Sequence, residues 1–228
     1  PWLSKQGILL IALAAASWGT VGVVVKSLYE TTNLSPIIVG FYRLVLSVPV
    51  LLLALSFLGK KAFRIKTKDI PVIILMGVML ATYQLCYFAA IPRVGVAIAT
   101  LVTLCTAPVI VAVLSVVFLK ERLEPTVITA LVIAVVGTVL LVGFQPANRE
   151  QVFSGVVLAL GSATGYALVA LTSRRLSNYH PLQPVAFGFT VGAFMLLPFV
   201  LSEGLTTSLE PSSWLRLLYL GLVPTALA

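Results

Sequence analysis

The sequence predicts an all-α integral membrane protein, a polytopic helical bundle built as an inverted repeat of five transmembrane helices, with about eight of an expected ten present. Three observations predict it. Of the 228 residues, 60% are hydrophobic and only 10% charged, whereas about a quarter of an ordinary soluble domain is charged. The apolar residues fall into blocks long enough to cross a hydrocarbon core about 30 Å thick at ~1.5 Å rise per residue. The chain also matches itself at a nearly constant offset.

The blocks lie at 7–27, 36–58, 70–91, 94–119, 125–144, 155–173 and 184–202, with an eighth starting near 213. The first is as long as a full crossing and runs on to Pro36 and a second apolar span without an A-x-A-like site, so it reads as a membrane helix and not a cleavable signal. The start at Pro1, where an initiator methionine would stand, and an eighth block that stops at Ala228 predict a fragment with two further spans beyond it.

At an offset of 148, Gly7 falls on Gly155, Ala15 on Ala163, Trp18 on Tyr166, Lys26 on Arg174, Pro36 on Pro184, Gly40 on Gly188 and Phe41 on Phe189. An offset of 144, one loop being four residues shorter, then places Gly77 on Gly221. Leu and Val matches mean little in so apolar a chain; Pro, Gly and aromatic matches carry the repeat. The predicted units are 1–145, the first repeat with five spans, and 146–228, an incomplete second repeat. Because five is odd, the second unit enters the membrane from the opposite side.

Charge follows the same alternation. With the N-terminus in the cytoplasm, inside segments carry Lys5, Lys60, Lys61, Arg64, Lys66, Lys68, Lys120, Arg122, Arg174 and Arg175. Outside segments carry Lys26, Arg93, Arg149 and Arg216, matched by Glu30, Glu150, Glu203 and Glu210. This is the positive-inside pattern. It accounts for the net charge of +8 without nucleic acid, which would need the cations on one accessible face. Cys86 and Cys105 lie inside spans at no metal-ligand spacing and read as small core residues.

Several short runs, in order, resemble the drug/metabolite transporter superfamily and its EamA-like ten-helix branch. They are Ala16-Ser17-Trp18-Gly19 followed by Lys26, then Tyr42-Arg43-Leu44, then Thr106-Ala107-Pro108-Val109 through Lys120-Glu121-Arg122-Leu123, with Ser173-Arg174-Arg175-Leu176 near the start of a second unit. The resemblance implies ten helices, both termini cytoplasmic, and movement of metabolites by alternating access. The counterpart of the Pro108 helix in the second unit is absent from the sequence.

Polar groups inside lipid are costly, so those within spans are the candidates for a solute path. Arg43 is the one charge well inside a span, about seven residues or ~10 Å from its outer end. Either its side chain snorkels to the headgroups, or it lines a cavity and meets an anionic or zwitterionic group with its forked donors. In the third span Tyr83 and Tyr87 share a face beside Gln84, which suits an aromatic wall with polar handles. In the fourth, Thr100, Thr103 and Thr106 recur every third residue before Pro108, which frees the carbonyl of Leu104. Trp18 and Tyr166, matching mid-helix positions of the two units, are either pocket walls or lipid-facing aromatics. The substrate-binding candidates are thus Trp18, Arg43, Tyr83, Gln84, Tyr87, Thr103, Thr106 and Tyr166.

No acid, base, nucleophile or metal cluster can be assembled at membrane depth, and no nucleotide loop is visible, so the expectation is no enzyme, cofactor or metal. The expected function is secondary transport, in the export direction, of small metabolites or drugs around a central aromatic and polar cavity. A channel-like facilitator and a membrane scaffold are the rival readings. Expected partners are membrane lipids and a small-molecule metabolite, in a monomer or homodimer of a bacterial-type cytoplasmic membrane.

Overall fold

The computed structural model describes residues 5–119, 124–143, 149–204 and 209–227, and every regular element among them is helical. The elements are α1 (Lys5–Thr31), α2 (Pro36–Phe57), α3 (Ile70–Leu114), α4 (Pro125–Gly143), α5 (Arg149–Arg175), α6 (Leu182–Glu203) and α7 (Pro211–Gly221). Two short 3-10 turns join α2 to α3, and π-helical turns continue α3 over Ser115–Leu119 and α7 over Leu222–Leu227. The Lys120-Glu121-Arg122-Leu123 run lies outside the described residues.

Among the described residues, five helical segments are long and apolar enough to cross a bilayer. One of them, α3, is 45 residues long, about twice the hydrocarbon thickness at 1.5 Å per residue. It breaks at Gly95, whose φ of 79° and ψ of 164° lie outside the helical region and suit a residue without Cβ. Tyr87 and Thr100 touch across this break at 2.8 Å; thirteen positions along a straight helix would put them about 20 Å apart. The chain therefore folds back here, and the third and fourth apolar blocks form two limbs of one hairpin.

Side chains such as Leu9, Phe57, Phe153 and Phe194 are 60%, 83%, 72% and 69% exposed. Such an apolar exterior is unsuited to water and natural where lipid is the solvent. Without a hydrophobic drive between helices in lipid, association relies on close backbone approach, and α5 supplies it with small residues. A Cβ on Gly165 would sit 2.8 Å from Tyr83 Cβ and 3.1 Å from its Cα, and Gly155 lies hard against Val94. Ala159, Ser162 and Ala163 between them are fully buried. This seam locks α5 onto both limbs of α3.

The contacts of α1 with α5, α2 with α6, α3 with α6 and α7 with α2 have a reciprocal form. Trp18 meets Tyr166 edge-on with ring centres 6.4 Å apart, and Leu44 Cδ1 lies 3.1 Å from where a Gly192 Cβ would be. Each of these four residues touches the one 148 positions away. Gly77 is pressed against Val191, and Gly221 against Leu46 and the Arg43 carbonyl. Since Gly77 pairs with Gly221 and Val191 with Arg43 at the two offsets, one contact repeats the other with roles exchanged. Contacts of this kind are those a two-fold relation generates, with self-paired residues on the axis.

Candidate functional site

A cavity of about 270 Å³ opens beside the Trp18–Tyr166 contact. Its walls come from four helices: Ala15, Trp18, Gly19 and Val21 of α1, Arg43 of α2, Tyr83, Tyr87, Thr100, Thr103 and Leu104 from the two limbs of α3, and Tyr166 of α5. The α3–α5 seam sets the aromatic corner. Because Gly165 lets α5 reach the Tyr83 backbone, the next residue, Tyr166, packs edge-on against the Tyr83 ring with centres 5.7 Å apart.

Arg43 is 5% exposed. Its Nε donates to Thr225 Oγ1 at 2.7 Å, and its guanidinium carbon lies 5.7 Å from the centre of the Phe88 ring, within cation–π range. Tyr83 and Tyr87 flank it. Among the described residues Arg43 forms no ion pair; the Lys26–Glu30 pair is exposed and lies toward the end of α1. The outward, headgroup-seeking placement of Arg43 is thus not the one the structure adopts. A cation is held in an aromatic and hydroxylated wall, with no carboxylate among the described residues paired to it.

The hydroxyls are ordered by their own helices. Thr100 Oγ1 donates to the Val96 carbonyl at 2.7 Å, which leaves the Tyr87 hydroxyl to donate to Thr100. Thr103 Oγ1 donates to the Ala159 carbonyl at 3.3 Å and so ties the second limb of α3 to α5 while keeping lone pairs for a guest. The wall therefore combines aromatic faces, fixed hydroxyl oxygens and one cation, a set that fits an apolar body bearing an acidic group.

Six of the eight residues expected from the sequence line this cavity: Trp18, Arg43, Tyr83, Tyr87, Thr103 and Tyr166. Gln84 and Thr106 do not. Gln84 is 2% exposed and its Nε2 donates to the Gly40 carbonyl at 2.9 Å, where the missing Cβ gives the amide room; its position next to Tyr83 turns it toward α2. Thr106 is half-buried on the second limb and is not part of the lining, which on that limb is Thr100, Thr103 and Leu104. Ala15 and Gly19, not among the candidates expected from the sequence, form part of the wall as well. Thr225 and Phe88, which hold the Arg43 side chain, carried no motif. Their only sequence signal is a hydroxyl and a ring within spans.

Comparison with known proteins places the chain in a family. The EamA-like transporter family matches residues 5–143 and again 153–228. The chain is 29% identical to the uncharacterized transporter YwfM of Bacillus subtilis over 96% of its own length and 73% of that protein. It is 28% identical to the pseudopaline exporter CntI of Pseudomonas aeruginosa over 97% of its length and 75% of the relative, and 29% identical to the uncharacterized inner membrane transporter YicL of Salmonella typhimurium over 98% and 76%. A solved crystal structure superposes with a TM-score of 0.73 at 21% identity, covering 96% of this chain and 75% of its own, and agrees in fold. With the family matched along nearly the whole chain and the helices in place to span a bilayer, this protein belongs to the EamA-like transporter family and is an integral membrane transporter.

Proposed function

We propose that the protein is a secondary transporter that exports small metabolites bearing an anionic or zwitterionic group, by alternating access around the Arg43 cavity. One observation carries the reading: a buried guanidinium in the cavity wall that has no acidic partner among the described residues. A charge at membrane depth costs about 2.5–3.5 kcal/mol by insertion scales, and an incoming carboxylate or similar oxyanion would offset that cost with charge-assisted hydrogen bonds. The surrounding aromatic faces would take the apolar remainder of the solute.

The alternating-access part rests on the repeat. Two segments matched by one family, together with contacts that recur with roles exchanged, support two copies of one module meeting at the cavity, and rocking of one against the other would expose it to each side in turn. The positive-inside pattern supports a cytoplasmic N-terminus, and the relative named as an exporter supports the outward direction. Lipids surround the bundle in this reading, as a monomer or homodimer in the cytoplasmic membrane.

The test begins with untargeted metabolite profiling of media from expressing and non-expressing cells, followed by uptake of the enriched solute in proteoliposomes. Saturable uptake that is accelerated by solute on the opposite side is expected, and linear, unsaturated flux would favour a channel. Arg43→Ala at normal membrane abundance should lower transport roughly 100-fold, as expected for losing a charge-assisted contact, with Arg43→Lys partly restoring it. Undiminished transport by the alanine variant would defeat the reading.

A further inference from the structure

The Arg43 side chain is held by a residue of the other repeat, and the reason lies in the backbone of the last helix. Pro224 has no N–H to give to the carbonyl four residues before it, that of Leu220. That carbonyl instead accepts from Thr225 Oγ1 at 2.6 Å, in the π-helical turn Leu222–Leu227 that continues α7. With its proton committed there, the Thr225 oxygen faces α2 as an acceptor, and Arg43 Nε donates to it at 2.7 Å.

A guanidinium can grip a planar oxyanion along two edges: the side edge, Nε with one Nη, or the end edge, Nη1 with Nη2. Thr225 occupies Nε, so the side edge is closed; what is left to meet a solute is the end edge, beside which the Tyr83 hydroxyl stands as a neutral hydrogen-bonding neighbour. The scaffold does not require the pair. The positions 148 residues from Arg43 and 144 residues from Thr225 are Val191 and Ala81, both apolar, and the Val191 side chain packs directly against Gly77.

The geometry points to Thr225 as a positioning residue that turns the Nη1–Nη2 fork of Arg43 into the cavity, so that the site selects a carboxylate-like oxyanion gripped end-on. This rests on the anion-binding reading of Arg43 and adds to it the group that sets its geometry. It also makes the break in α7 a condition for recognition, since an unbroken helix would satisfy Leu220 with a backbone N–H and release the Thr225 hydroxyl.

The experiment uses the protein in lipid nanodiscs, with every tryptophan except Trp18, Trp2 and Trp214 among them, replaced by Phe so that Trp18 in the cavity wall reports binding. The probes are phenylacetate, a ring with a carboxylate, and its neutral isostere phenylacetamide. Wild type should prefer the acid. Thr225→Val should weaken acid binding about tenfold, the effect of one hydrogen bond to a charged group, and leave the amide unchanged, while Thr225→Ser should keep the preference. Equal loss of both probes in Thr225→Val, or no loss of either, would overturn the role of Thr225. Arg43→Ala separates the two claims: if it abolishes the acid preference while Thr225→Val retains it, only the role of Thr225 falls. If wild type shows no preference, or Arg43→Ala keeps it, the anion-binding reading falls and this inference with it.

Discussion

At the scale of single residues, the cavity shows which side chains a sequence can place and which it cannot. Tyr83 and Tyr87 share a helical face by spacing alone, and the matching of Trp18 to Tyr166 located a contact that the structure contains. Gln84 stands off the cavity wall, because adjacency in sequence says nothing about the angle at which neighbouring helices stand. One position from Tyr83 is about 100° around the helix, enough to point the amide at Gly40. The Thr225 contact joins residues 182 positions apart, so no local pattern could announce it. The Tyr83 hydroxyl stands beside Arg43 and the Tyr166 ring, so Tyr83→Phe should change which solutes compete for transport, by about 3–10-fold for those with a polar group in reach. An unchanged competition profile would remove Tyr83 from the solute path.

At the scale of elements, the helices were legible because their length and apolarity are dictated by the bilayer, whereas their contacts depend on where small residues let backbones approach. The α3–α5 seam makes this testable. Gly165→Leu would drive a side chain into Tyr83 and should lower stability by about 1–3 kcal/mol, as overpacking does. Gly161→Ala would place a methyl at 3.4 Å from Cys86 Sγ, an ordinary contact, and should leave the melting temperature in detergent nearly unchanged. The connections hold elements too. Tyr179, between α5 and α6, donates its hydroxyl to Asp69 Oδ2 at 2.7 Å and accepts from the Lys66 N–H at 3.0 Å, clasping the start of α3. The bond to Asp69, before burial, raises the Tyr179 pKa above its ordinary value of 10. The neutral phenol is the form that clasps, so the contribution is fully present below the free-phenol pKa and is lost as pH rises through the raised one. Hydrogen exchange across 64–69 should therefore be slow in wild type up to pH 10 and fast at neutral pH in Tyr179→Phe. Equal exchange in the two proteins would show that the clasp holds nothing.

At the scale of the whole molecule, the repeat visible at offsets of 148 and 144 has its physical expression in residues that touch their own counterparts, Trp18 with Tyr166 in the cavity wall and Leu44 with Gly192 between α2 and α6. What the sequence left open was how the two units meet, because register within a unit is local while the interface between units depends on many weak contacts at once. The account stands on the two modules crossing the membrane in opposite directions around one cavity, with Lys26 and its counterpart Arg174 at opposite faces. The direct measurement replaces Cys86 and Cys105 with alanine and introduces a single cysteine as Lys26→Cys or Arg174→Cys, each treated in intact cells with a membrane-impermeant maleimide. The account predicts that the cysteine at 26 is labelled from outside and the cysteine at 174 only after the membrane is permeabilised; labelling of both from the same side would contradict it.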